Sequence, residues 1–599
     1  MREYSIPALV DISASANLTD IVFKRAADEP GTVVLRHRSG AAWQDVTASE
    51  FGGEVARISK GLVAAGIESG DRVALMSRTR YEWTLIDYAI LAAGAVTVPI
   101  YETSSAEQVE WILSDSGAKG VFVETGGHEA VVADMRGKFA DLSHMWQIEA
   151  GALGELAEGG TGVADEEITK RRASRGAADL ATIIYTSGTT GTPKGCELTH
   201  GNLLSDARNA FTGALVEAFD VADGSTLLFL PLAHSFARII QVGCMESGTV
   251  LGHTPNMANA QPDLASFRPT FLLAVPRVFE KVYNTATQQA AENPVKQRIF
   301  EFAVNTAVDY SKSLDGAGPT AALRIRHALA DRLVYGKLRA AVGGRVQYAV
   351  SGSAPLGERL GHFFRGVGMT ILEGYGLTET SPAATVNRPT RNKIGTVGLP
   401  LPGVALRIAD DGEILIKGPI VFTGYWHNDT ATAEMIDEDG WLHSGDIGEL
   451  DDEGFLRITG RKKELIVTAA GKNVAPAVLE DRVRAHPLIS QCMVVGDGRR
   501  YVACLVTLDE ETLTHWKATH GKPADASAAD LTDDPDITAE IQAAIDEANK
   551  AVSRAESIRR FRVLGGDFTE TGGHLTPTLK VRRNVVVKDF SGDIEALYQ

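Results

Sequence analysis

Residues 181–195 constrain this chain more than any other segment. A short β-branched apolar run, Ala181-Thr-Ile-Ile184, leads straight into Tyr185-Thr-Ser-Gly-Thr-Thr-Gly-Thr-Pro-Lys-Gly195. The run reads as a buried strand. Eight of the eleven residues that follow it are Gly, Thr or Ser, and a single lysine, Lys194, stands near the end. Glycine lets the backbone approach a polyanion closely and adopt positive φ. Hydroxyls and free N–H groups donate to phosphate oxygens, and one lysine supplies a positive charge. No Gly-Lys-Ser/Thr triplet closes the loop, so it is not a Walker A loop. A strand feeding such a loop predicts a phosphate cradle.

Around it, helical and strand periods alternate. Leu62-Val-Ala-Ala-Gly66 closes a helix, strand Val73–Ser77 follows Asp71-Arg72, and a helical run leads to strand Val96–Ile100. Ser105-Ala-Glu-Gln108 is a capping box before a helix at Val109–Leu113, with strand Val121–Val123 next. Similar units recur near Leu227–Leu230, Phe271–Val275 and Tyr348–Val350. This texture predicts parallel sheets covered by helices. Between Gly395 and Gly460, short strands with turn signals such as Asp410-Asp-Gly412 predict a small antiparallel, barrel-like region. The expected fold is α/β. A large N-terminal lobe, residues 1–460, has mostly parallel sheets and a barrel-like region, and a smaller α+β lobe spans residues 461–599. Two polar stretches, 151–176 and the acidic, alanine-rich 509–550, read as surface elaboration.

Composition removes several function classes. The 599 residues carry 59 Lys and Arg against 77 Asp and Glu, a formal charge of −18, so no nucleic-acid partner is expected. Cys196, Cys244, Cys492 and Cys504 show no CxxC spacing, which argues against structural zinc and a disulfide framework. Glu3 and Pro7 interrupt any signal-peptide core, and the longest apolar stretch, Tyr88 to Ile100, is too short for a bilayer span of roughly 20 residues. A cytoplasmic setting is expected, with at most peripheral membrane contact, which no basic amphipathic helix demands.

Several further motifs combine with the loop. These are Pro231-Leu-Ala-His-Ser-Phe-Ala-Arg238, Ser351-Gly-Ser-Ala-Pro355, Glu373-Gly-Tyr-Gly-Leu-Thr-Glu-Thr380, Trp441-Leu-His-Ser-Gly-Asp446, Gly460-Arg-Lys-Lys-Glu464 and Leu575-Thr-Pro-Thr-Leu-Lys580. Together they resemble the AMP-forming acyl-adenylating superfamily of acyl-CoA synthetases, luciferases and peptide-synthetase adenylation domains. The resemblance runs along essentially the whole chain. Pro231-Leu-Ala-His234, Arg461-Lys-Lys-Glu-Leu-Ile466 and Gly471-Lys-Asn-Val-Ala-Pro476 are most similar to bacterial long-chain fatty acid–CoA ligases.

The resemblance implies a two-step reaction. A carboxylate attacks the α-phosphate of ATP to give acyl-AMP and pyrophosphate, and a thiol then displaces AMP. Thr186, Ser187, Gly188, Thr189, Thr190 and Lys194 would hold phosphates, and Gly352, Ser353 and Ala354 the adenine pocket. Tyr375 and Gly376 would meet adenine, with Thr378 on the α-phosphate and Glu379 on Mg²⁺. A carboxylate oxygen suits a hard cation that keeps several waters. Asp446 and Arg461 would clamp ribose, His234 would lie beside the substrate carboxylate, and Phe236 would gate the acyl tunnel. Lys580 would be the catalytic lysine of adenylation, Lys463 the hinge of a mobile C-terminal lobe, and the stretch around Gly471 the approach to CoA. The implied substrates are a long-chain fatty acid, ATP and CoA. The alternative is a fatty-acyl-AMP ligase that passes the acyl group to a carrier protein.

Overall fold

The computed structural model describes residues 1–40, 42–186, 192–255, 260–576 and 580–599. Two large sheets build the N-terminal part. In one, Arg72–Met76, Val96–Ile100, Gly120–Val123, His144–Gln147 and Leu180–Thr186 run parallel. Leu180–Thr186 then pairs antiparallel with Lys194–Thr199. In the other, six parallel strands include Ser225–Leu228, Phe271–Ala274, Tyr348–Ser351 and Thr370–Tyr375, with antiparallel strands at both edges. Arg72–Met76 is buried from its second residue on, as a strand covered on both faces must be. The capping box at Ser105 and Gln108 starts helix Ala106–Ser116, longer than its apolar core suggested.

The region after Gly395 forms a wholly antiparallel five-stranded sheet, as expected, but its edge strand is Glu3–Ser5 from the other end of the chain. Three residues of mixed polarity carry no periodic signal, so only the pairing with Ala405–Ile408 reveals that strand.

One large apolar core extends from Ala16 to Leu456, and a separate core runs from Ile466 to Val563. The second gathers around strands Ile489–Val495, Val502–Leu508 and Ile558–Val563. Among the described residues, no helix is long and apolar enough to cross a membrane.

Both polar stretches are corrected by the packing. Residues 152–159 form a helix pressed so closely on helix Ala48–Ala64 that a Cβ on Gly61 would lie 2.2 Å from the Leu156 carbonyl oxygen. Arg171 donates to the carbonyls of Ile67 and Ala93 at 2.7 and 3.3 Å. In the acidic stretch, helix Pro535–Asn549 buries Ile537, Ile541 and Ile545 at four-residue spacing, one apolar stripe in an otherwise acidic sequence.

Candidate active site

A cleft of about 2110 Å³ lies between the two cores. Every described residue that the motifs place in the site lines this cleft, except Gly471. Ser187, Gly188, Thr189 and Thr190 lie outside the described residues.

The ends of the glycine loop are pinned from several sides. Thr186 stands opposite Lys194 in the antiparallel pair. Tyr185 donates its hydroxyl to Asp115 at 2.6 Å, and the Trp111 indole donates to the Pro193 carbonyl at 2.8 Å. The Lys194 ammonium lies 5.0 Å from the centre of the Tyr425 ring, and Tyr425 donates its hydroxyl to Glu379 at 2.7 Å. Tyr425 thus orients the carboxylate and backs the lysine, a role that no motif announced because an isolated Tyr after Thr423-Gly424 reads as a core aromatic.

The strand Thr370–Tyr375 delivers Tyr375 and Gly376 to the cleft. Gly376 is required by space alone, since a Cβ there would fall 1.8 Å from the Pro382 carbonyl oxygen. Tyr375 donates its hydroxyl to Asp446 at 2.8 Å, and Arg461 donates to the other Asp446 oxygen at 3.1 Å. Asp446 and Arg461 are direct register partners on neighbouring strands, so the sheet itself sets their separation. Ser353 is a non-glycine residue at φ +72°, and its strained turn presents the residues around it to the cleft. A Cβ on Gly352 would lie 3.1 Å from the Phe236 ring, so Phe236 abuts the 352–354 loop.

His234 caps helix Ser235–Ser247, its Nδ1 accepting from the Phe236 N–H at 3.1 Å. Burial, then the nearby Lys580 ammonium, push its pKa down to about 3, so the imidazole is neutral at physiological pH. The Ser235 and Thr378 hydroxyls approach at 3.3 Å, joining this helix to the Glu379 segment. Enclosure by the cleft lowers the Lys580 pKa, and Arg461 lowers it further, while Asp446, Glu464 and Glu379 oppose them. Lys580 is exposed to cleft solvent, which screens part of that lowering.

Beneath the site lies a buried network of which the motifs contained only Arg238. Asp87 is ion-paired with Arg238, and it accepts from Gln241 and Thr97 at 2.8 Å each. Arg238 also donates to Thr182 at 2.5 Å. Thr182 is on the strand that feeds the glycine loop and Arg238 on the helix capped by His234. The network therefore ties together the two elements that frame the cleft.

The second core is held against the first by Arg277–Asp509 at 3.0 Å, Gln288 to Thr512 at 2.7 Å, and Arg359 to the Ala485 carbonyl at 3.3 Å. Within the same seam burial pushes Glu373 up to about 7, with the Asp481 and Glu358 charges adding and the Leu356 N–H opposing. Burial also pushes Asp481 up to about 6 against the pull of Arg484. If the C-terminal lobe swings and opens the seam, both groups return to water and to ordinary carboxylate values. The closed form therefore holds more protons between roughly pH 4 and 7, and closure is favoured as pH falls and weakened as pH rises through that window. An inter-lobe fluorescence-transfer pair should report this slope, and Glu373→Gln should flatten it. An unchanged slope in the variant would refute the assignment.

Gly471 lies at the exposed tip of the hairpin Ile466–Val467/Asn473–Val474, away from the cleft. Its φ of +76° favours glycine, and open space surrounds its Cβ position.

A carboxylate held by the tyrosine that also backs Lys194, an acid–arginine pair, and a lysine beside a neutral histidine suit transfer chemistry at a phosphorus atom. The wider comparisons agree in kind. Residues 22–426 match the AMP-binding enzyme family, and residues 463–599 match the AMP-binding enzyme C-terminal domain. The chain is 52% identical to the long-chain-fatty-acid–CoA ligase FadD15 of Mycobacterium bovis, over all of both chains. It is 30% identical to the long-chain-fatty-acid–CoA ligase ACSBG2 of Xenopus laevis, over 100% of this chain and 86% of that one. Among solved structures, the adenylation domain of a carboxylate reductase from Mycobacterium chelonae superposes with TM-score 0.76 at 22% identity, covering 98% of this chain and 92% of that one. On the fold, the cleft and these matches, the chain belongs to the family of AMP-binding enzymes, the acyl-adenylating superfamily.

Proposed function

We propose that this chain is a long-chain fatty acid–CoA ligase that forms acyl-CoA, AMP and pyrophosphate from a fatty acid, ATP and CoA. End-to-end similarity at 52% identity to a long-chain-fatty-acid–CoA ligase carries the reading. Lys580, His234, Asp446 and Arg461 gathered in one cleft support it.

In the first half-reaction a carboxylate oxygen forms a bond to the α-phosphorus while the bond to the bridging oxygen breaks and pyrophosphate leaves. Thr186 and Lys194, with Ser187, Gly188, Thr189 and Thr190, hold the leaving phosphates. Gly352, Ser353, Ala354, Tyr375 and Gly376 receive adenine, and Asp446 and Arg461 receive ribose. Thr378 donates to the α-phosphate. Neutral His234 stands beside the entering carboxylate, and Lys580 supplies positive charge where the pentacoordinate phosphorus gains negative charge.

Among the described residues no three His, Cys, Asp or Glu side chains gather as a metal cage. Glu379, with one oxygen engaged by Tyr425, instead offers a single carboxylate ligand, which fits Mg²⁺ that draws its other ligands from water and phosphate. Bound there, Mg²⁺ neutralises phosphate charge.

In the second half-reaction the CoA sulfur bonds to the acyl carbonyl carbon, the thiol proton is lost, and AMP leaves with the former carboxylate oxygen. This step needs the exposed stretch around Gly471 at the cleft, so residues 461–599 turn about Lys463 relative to residues 1–460. The four cysteines are free and buried, which suits a reducing, cytoplasmic setting.

The test is AMP and pyrophosphate release with Mg-ATP and palmitate, with and without CoA. Sustained turnover that needs CoA and yields palmitoyl-CoA is expected. Pyrophosphate formation that stops near one equivalent and ignores CoA would replace this reading with a carrier-protein acceptor.

A further inference from the structure

Helix Pro294–Leu314 runs antiparallel to a continuous helical stretch made of Ala321–Ala330, a π-helical turn Asp331–Tyr335, and Gly336–Ala341. Tyr310 stacks on His327 at 3.9 Å, Arg326 donates to Thr306 at 3.3 Å, and Tyr335 donates to the Ala303 carbonyl at 2.7 Å. These contacts use the inner face, where Ala303, Ala307, Ala330 and Tyr335 are buried. On the outer face Ile325, Leu329 and Leu333 are 71%, 51% and 42% exposed. Four-residue spacing puts them in one stripe about 12 Å long. At the two ends of the other helix, Val295 and Leu314 are 65% and 47% exposed. Single exposed leucines are ordinary, but a stripe of large apolar side chains on a helix already anchored by its opposite face marks a contact surface.

The charges beside the stripe say what it contacts. Residues 321–345 carry six Arg and Lys against one acid, in a chain whose formal charge is −18. Arg324, Arg332 and Lys337 are exposed, and no ion pair engages them among the described residues. A purely polyanionic partner needs the cations and not the stripe, whereas an apolar protein groove needs the stripe and not the cations.

We propose that this hairpin face docks on an anionic lipid bilayer, the stripe entering the boundary between headgroups and acyl chains while Arg324, Arg332 and Lys337 meet lipid phosphates. The overall negative charge repels such a surface, so the local cations also orient the molecule on it. Helix Pro294–Leu314 contributes Val308 and Lys312 to the wall of the cleft. Docking therefore brings that wall up to the phase in which a long-chain acid is dissolved. This consequence rests on the ligase reading, whereas docking itself does not.

Vesicle co-sedimentation of the full chain, without nucleotide or acid, tests it. Binding to phosphatidylcholine vesicles containing about one-third phosphatidylglycerol is expected, weakening with salt and falling sharply on pure phosphatidylcholine. The variant Ile325→Ser/Leu329→Ser/Leu333→Ser should lose at least about tenfold in partitioning, since withdrawing even one such side chain from an apolar phase costs on that order. Arg324→Gln, Arg332→Gln and Lys337→Gln should each cost about fivefold on anionic vesicles. All are solvent-facing changes, and unchanged turnover on a short, water-soluble acid would confirm that the fold is kept. Wild-type protein that stays in the supernatant with both vesicles would overturn the proposal, as would equal binding to both or binding untouched by the serine variant. Dimerisation in velocity sedimentation that the serine variant abolishes would also overturn it, assigning the face to a second copy. Loss of ligase activity in every assay, with vesicle binding intact, would overturn the function and leave the docking surface standing.

Discussion

Lys580→Ala is expected to lower pyrophosphate release from palmitate and Mg-ATP by about a hundredfold or more, the usual effect of removing a charge-stabilising contact from a transition state. Transfer of the acyl group to CoA from supplied palmitoyl-AMP should stay within a fewfold of wild type. The difference follows from position. In the closed arrangement Lys580 shares the cleft with His234, Asp446, Arg461 and Glu379, whereas the glycine of the proposed CoA approach, Gly471, lies outside it. One arrangement cannot present both groups to the same phosphorus and carbonyl, so on the proposed reading the lysine acts before the lobe turns. Single-turnover measurement of each half-reaction decides the matter. An equal loss in both would remove Lys580 from the adenylation step and assign it a general structural role.

The second large effect is on stability. Arg238→Met should destabilise the N-terminal lobe by about 3–5 kcal/mol, because it strands the Asp87 carboxylate in a fully buried site. The pair Asp87→Leu/Arg238→Met should cost less than the sum of its single changes, because neither charge is then left alone. Trp83, whose ring centre is 5.6 Å from the Arg238 guanidinium carbon, offers a local fluorescence probe for denaturant unfolding. A cost below about 1 kcal/mol for the single change would show that water or another side chain compensates Asp87. Adenylation should fall with stability, since Arg238 and Thr182 link the His234 helix to the strand behind the glycine loop.

Much of this was readable in the chain because it depends on local chemistry. A glycine loop is legible because only certain residues permit its backbone, and a buried parallel strand because its apolar run is continuous. The motifs proposed for adenine, ribose and the catalytic lysine are each short segments, and their residue types are what suggested those roles. Tyr425 was not legible. Its importance comes from a Glu379 carboxylate 46 positions away that only folding brings within 2.7 Å. The edge strand Glu3–Ser5 was hidden for a similar reason, its partner lying some 400 positions downstream.

The polar stretches show the opposite error. Composition marked 151–176 and 509–550 as surface, yet each turns a narrow apolar stripe or a close glycine contact toward a core. In helix 321–341 the stripe at 325, 329 and 333 has the spacing of a core face and looks outward instead. Periodicity reports that a helix has an apolar side and says nothing about which neighbour covers it.

The amino-acid order by itself therefore determined the α/β class, the glycine-rich segment after Leu180–Thr186, and the short motifs whose described residues the fold gathers in one cleft, Gly471 excepted. Each of these depends on backbone permissiveness or side-chain chemistry within a few residues. Only the tertiary structure decided that Lys580 faces the cleft while Gly471 does not, that Glu373 and Asp481 are buried in one seam, and that Ile325, Leu329 and Leu333 are left to solvent. Burial and proximity are properties of pairs of distant segments, set by how whole lobes pack, and no single segment contains them.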